Sequence, residues 1–111
     1  MIDQSRLKEL FDDFGEDDLA ELIDDVLQEA EGSITALEAE ISDEHSKSRS
    51  ALFHFARGCA LNIGATEFAE LCGHFENRHG GFSAEEYRSV KSAFDAVCGY
   101  FRDGDVLRNV A

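Results

Sequence analysis

Apolar residues recur at steps of three and four along most of this chain, the spacing of amphipathic helices. Leu7, Leu10, Phe11 and Phe14 predict a short first helix over residues 3–14, stopped at Gly15. Glu16, Asp17 and Asp18 then open a second helix, where negative charge suits the positive end of the helix dipole. Its stripe of Leu19, Leu22, Ile23, Val26, Leu27, Ala30, Ile34, Leu37 and Ile41 continues for about six turns. Residues 42–48 are polar and hold the turn into a third helix, from about residue 47 to 63. Gly64 stands where a C-terminal capping glycine belongs, and Ala65-Thr66 begin a fourth helix with Phe68, Leu71, Cys72 and Phe75 on one face. After the break at His79-Gly80-Gly81, Ser83 and Glu86 form a capping box. It opens a fifth helix carrying Tyr87, Val90, Phe94, Val97 and Phe101. Gly104 ends that helix, and Val106, Leu107 and Val110 dock as a terminal turn.

No segment alternates with period two, and there is no internal repeat. The pattern predicts an all-α fold: an antiparallel up-down four-helix bundle whose short extra N-terminal helix caps one end. The 111 residues make one domain, residues 1–111. Nine Phe supply core volume, and the absence of Pro suits uninterrupted helices. No apolar run approaches the roughly 18 residues of a membrane span, and the first residues lack a signal pattern, so the expected location is cytoplasmic. The net charge of −14 argues against nucleic acid, whose phosphates need clustered Lys and Arg. It is compatible with a protein partner that carries a basic patch. Cys59, Cys72 and Cys98 have neither an even count nor paired spacing, and read as buried free thiols.

The chemistry concentrates in the third helix. On a wheel of about 100° per residue with His54 at zero, Cys59, Leu52 and Ile63 fall at roughly 140°, 160° and 180°. Phe55 and Ala56 flank that core stripe, and His54 faces away from it. Beside His54 lie Ser50, Arg57, Gly58 and Leu61. The wheel alone leaves an exposed histidine without a role equally open. Gly58 shifts the balance, because a glycine inside a helix costs about 1 kcal/mol relative to alanine and invites a reason such as close approach by a partner. Arg57 offers a permanent cation suited to phosphate oxygens, and Leu61 an exposed apolar contact. Ser50, Phe53 and Leu61, with Arg57 and Gly58, are the expected partner-contacting positions.

Residues 54–76 resemble the signature of histidine-containing phosphotransfer (HPt) domains, roughly His-x-x-Lys-Gly-small-small-x-x-Leu/Ile-Gly-Ala followed by Leu-Cys and an acidic or amide residue. The chain supplies His54, Arg57, Gly58, Cys59, Ala60, Ile63, Gly64, Ala65, Leu71-Cys72 and Glu76. The resemblance implies a phosphoryl carrier in a multistep two-component phosphorelay. His54 would take a phosphoryl group from the aspartyl phosphate of one response-regulator receiver domain and pass it to another. Imidazole, unprotonated on one nitrogen near neutral pH, suits that role. Arg57 would steady the phosphoryl oxygens, Gly58 would make room for the receiver, and Glu76 would hold the other ring nitrogen. Mg²⁺ and the catalytic apparatus would belong to the receiver, leaving this chain without a cofactor or metal and without autonomous kinase activity. A hybrid histidine kinase is a further implied partner, and a monomer the implied state. Two positions depart from the family pattern: Arg57 replaces the usual Lys, and Cys59 a frequent Ser. The further basic residue common near the end of the fourth helix has Arg78 as its nearest candidate.

Three other readings compete. Glu76-x-x-His79 is a di-iron motif, but it occurs once and near a helix end. A non-catalytic HPt-like adaptor would dock receivers without carrying phosphate; retention of His54, Arg57 and Gly58 argues against it. The third is the substrate domain of a histidine kinase, as in chemotaxis kinases; with no dimerisation or ATP-binding segment after the bundle, the expectation is that the chain serves a kinase only from outside.

Overall fold

The structure, a computed structural model, describes residues 2–41, 47–103 and 106–107, and is all-helical. Helix α1 spans Gln4–Ala36 and runs into a 3-10 turn, Leu37–Glu40; α2 is Lys47–Asn62, α3 Thr66–Glu76 and α4 Ala84–Arg102. The described residues form a body of 45 × 20 × 20 Å. Helix α2 packs against α1 and α3, and α4 closes on the same two. None of these helices is long and apolar enough to cross a membrane, among the described residues.

Local chemistry explains each boundary. The Asp3 carboxylate caps α1 by accepting from the amides of Ser5 and Arg6. The expected interruption at Gly15 is present as a kink within the continuous span of α1, with helix before and after it as the pattern predicts. Gly15 has φ 78° and ψ 171°, a conformation that side-chain-bearing residues rarely adopt. The stripe expected to continue to Ile41 as one helix tightens into the 3-10 turn after Ala36, a common ending where the last carbonyls lack partners. At α4 the capping box forms as expected: Ser83 Oγ accepts from the Glu86 amide, and Glu86 Oε1 accepts from the Ser83 amide. The polar turn expected within 42–48 lies mostly outside the described residues, as do the stop at Gly104 and the docking of Val110. Val106 and Leu107 are half-buried against the core.

Leu19, Ile23, Leu27, Ala30, Ile34 and Leu37 line the inner side of α1 and its 3-10 extension. An aromatic cluster joins α2 to the end of α3 and the loop after it. Phe53 stacks on Phe75 with centroids 5.2 Å apart, and Phe82 meets both rings edge-on. Burying each such ring stabilises the fold by about 1.5–3 kcal/mol. Cys59, Cys72 and Cys98 are buried free thiols. Burial, with the charge of Glu76 adding to it, pushes the Cys72 thiol up to about 12.

The turn between α2 and α3 is held from outside. The Asp3 amide donates to Gly64 O at 2.7 Å, Ile2 pairs with Ala65 in an isolated bridge, and Arg6 Nε donates to Asn62 O. Gly64 has φ 77°, and a Cβ there would lie 3.0 Å from Asp3 O and 3.3 Å from Arg6 Cβ. Gly64→Ala therefore carries two penalties, left-handed backbone and a backbone clash. It should lower stability by about 2 kcal/mol in urea denaturation. Gly58→Ala, where nothing lies within 4 Å of the new methyl, should be neutral or stabilising in the same assay.

Candidate functional site

The site is built where the C-terminal end of α3 lies against the middle of α2. His54 extends from α2 with 73% of its side chain exposed, and its Nδ1 is 2.6 Å from Glu76 Oε1. Glu76 is the last residue of α3, and only 15% of its side chain is exposed. A carboxylate accepts hydrogen bonds and does not donate them, so the imidazole proton sits on Nδ1. The other nitrogen, Nε2, makes no hydrogen bond among the described residues. The second Glu76 oxygen is 3.9 Å from Arg57 Nη1, so one carboxylate bridges the imidazole and the guanidinium. Beside them Gly58 presents open helix surface. Leu61 and Phe55 stand about half exposed, at 47% and 48%.

His54, Arg57 and Glu76 are thus brought together, with Gly58 next to them on the open face of α2. Phe53 does not belong on that face. It is fully buried, stacked on Phe75, and serves as the floor of the site and not as a partner contact. The physical reason is the orientation of α2. Its buried residues Arg49, Phe53, Ala56, Cys59 and Ala60 centre nearer about 210° than the 160° suggested by Leu52 and Cys59, on the wheel of about 100° per residue. That rotation takes Phe53 inward and leaves Phe55 outside. Ser50, expected to be exposed, is half-buried, and its hydroxyl donates to Glu76 O at 3.1 Å.

Two arginines near the site are engaged elsewhere. Arg78, the expected spare cation, forms a two-point pair with Glu86, with Nη2 2.9 Å from Oε1 and Nη1 bonded to Oε2. It also donates to Gly81 O and lies 4.8 Å over the Phe75 ring. Arg49 is buried, donates to Gly80 O at 2.6 Å and lies over Phe82. Both therefore pin the α3–α4 loop. Nothing in helical periodicity separates such arginines from phosphate-binding ones, because their acceptors are loop carbonyls and a carboxylate on another element.

The family model described as Hpt domain matches residues 21–99, well over half of the chain. The chain belongs to the Hpt domain family. Hpt domains in general carry phosphoryl groups in phosphorelays and interact with receiver domains and kinases. No curated protein and no solved structure gives a significant match. The Hpt match runs from the second half of α1 through most of α4, and so includes the whole His54–Glu76 site.

The Arg78–Glu86 pair gives the loop beside this Hpt site a measurable acid sensitivity. Hydrogen bonds from Arg78 hold the Glu86 carboxyl down at about 2 from an ordinary 4.5. A depressed carboxyl pKa adds stability above the unfolded value, which is lost as pH falls through the folded one. The contribution, about 1 kcal/mol once solvent screening is counted, should disappear between pH 4.5 and about 2. Glu86→Gln keeps an oxygen for the Ser83 amide but loses the charge. Its denaturation midpoint should fall at neutral pH and converge on wild type near pH 2.

Proposed function

We propose that the chain is a histidine phosphotransfer protein of a multistep two-component phosphorelay, shuttling a phosphoryl group between receiver aspartates through His54. The observation that carries this reading is the Glu76 carboxylate 2.6 Å from Nδ1 on an otherwise exposed imidazole. That contact fixes the tautomer that leaves Nε2 nucleophilic.

The transfer follows from this geometry. The Nε2 lone pair attacks the phosphorus of a receiver's aspartyl phosphate; the N–P bond forms as the O–P bond breaks and the receiver's carboxylate leaves. The ring gains positive charge, which Glu76 stabilises while the proton stays on Nδ1. Onward transfer reverses these events on a second receiver. Arg57 is close enough to Glu76 to stay near the imidazole, and exposed enough to meet the incoming phosphoryl oxygens. Gly58 lets the receiver approach the backbone of α2, with Phe55 and Leu61 as apolar contacts on the rim. Because the reaction is mostly in-line positioning and charge stabilisation, the chain needs no cofactor of its own. Mg²⁺ belongs on the receiver in this reading. The chain has no kinase activity, and receiver domains and a hybrid histidine kinase are its partners. The same reading gives a cytoplasmic monomer, an antiparallel up-down bundle with residues 3–14 as the extra segment. The short connection of residues 63–65 between α2 and α3 supports that topology.

Incubation with a phosphorylated receiver tests this directly. Wild type should acquire acid-labile, alkali-stable label and His54→Gln none; equal labelling of both proteins, or of neither by any cognate receiver, sinks the proposal. Gly58→Glu should leave the helical circular dichroism signal unchanged. It should slow transfer at least about tenfold, since bulk and charge enter the docking face.

A further inference from the structure

We infer that Ser50 is a positioning residue for the His54–Glu76 pair, acting on the backbone of Glu76 from the helix that carries the histidine. This rests on the reading of His54 as phosphoacceptor, and adds to it a residue that touches neither the phosphoryl group nor the imidazole.

Glu76 has a difficult position. It is the last residue of α3, where carbonyls lose their intrahelical partners and helices fray. Beyond it the chain enters a loop in which Gly80 has φ 103°. A carboxylate at a fraying end would not keep a 2.6 Å contact to a neighbouring helix without a second restraint. The Ser50 hydroxyl supplies one, donating to Glu76 O at 3.1 Å. Ser50 and His54 are four residues apart on α2, so their side chains share a face one turn apart. Residue 76 is therefore held from α2 at two levels, its backbone by Ser50 and its carboxylate by His54 and the nearby Arg57. Of the other polar contacts here, some tie α3 to itself: the Asn77 amide and Asn77 Nδ2 donate to Gly73 O, and the Arg78 amide to Phe75 O. From α2, Arg57 lies 3.9 Å from the Glu76 carboxylate and Arg49 donates to Gly80 O, but neither contact is to the Glu76 backbone. Phe75 on Phe53 supplies apolar contact, but ring stacking tolerates sliding that a hydrogen bond resists. Among the described residues, Ser50 makes the hydrogen bond that joins the Glu76 backbone to α2.

Two measurements on the intact chain decide the matter. The first uses side-chain nitrogen shifts of His54 in solution at about pH 8.5, where imidazole is neutral. Wild type should report hydrogen on Nδ1. Ser50→Ala should report a mixture of tautomers, as should Glu76→Ala, and Ser50→Thr should restore the wild-type pattern. The second is a double-mutant cycle on phosphotransfer from a labelled receiver. Ser50→Ala should slow transfer about tenfold in the wild-type background and have no further effect in the Glu76→Ala background. An unchanged tautomer in Ser50→Ala overturns the inference. So does equal slowing in both backgrounds, which marks a general structural contribution. If wild type takes no label at all, the phosphotransfer reading fails, and the nitrogen shifts still decide whether Ser50 positions the pair.

Discussion

The site depends on the tight turn at Gly64. Between His54 and that turn α2 rises for about ten residues, and α3 returns over a similar number to Glu76. At 1.5 Å per residue each leg is about 15 Å, so residue 76 comes back level with residue 54. A turn of different length would put another side chain of α3 beside the imidazole. Ile2, Asp3 and Arg6 hold the turn from outside, through contacts to Ala65, Gly64 and Asn62. The N-terminal segment thus helps set the register of a site at the opposite end of α3.

Around that register the interactions divide by function. The aromatic cluster of Phe53, Phe75 and Phe82 supplies cohesion beneath the site. Arg49 and Arg78 are drawn to loop carbonyls and to Glu86, and hold the loop after α3. The His54 side chain is left almost bare of contacts except for Glu76. A rigid, well-paired base under an exposed imidazole suits the proposed carrier role, in which a partner must reach the phosphoryl group. The surface around His54 suits such a partner too, with open backbone at Gly58, two exposed apolar side chains and an acidic chain overall.

Much of the fold was legible because helix boundaries here rest on local chemistry. The Ser83–Glu86 capping box and the left-handed glycine after α2 involve neighbours within a few residues, and both stand where the pattern put them. Gly15 was legible as the interruption between a short first helix and the long one that follows, because its left-handed backbone is a local property of one residue. Phe53 was misassigned because a helical wheel fixes only relative angles. Whether the inward direction passes through Leu52 or Phe53 depends on how α2 is rotated against its neighbours. Arg78 and Ser50 failed for a related reason: a polar side chain's partner, a loop carbonyl or a helix-end carbonyl, is not written in its own segment.

Periodicity, caps and the spacing from His54 to Glu76 thus determine the helices, the family and the candidate site residues, since all of these are patterns along the chain. Tertiary structure alone decided which nitrogen of His54 faces Glu76, that Arg57 shares that carboxylate, and that Ser50 bonds to the end of α3. Those are distances between elements. They depend on helix rotation and register, which packing sets through the summed fit of many side chains and which no single segment encodes.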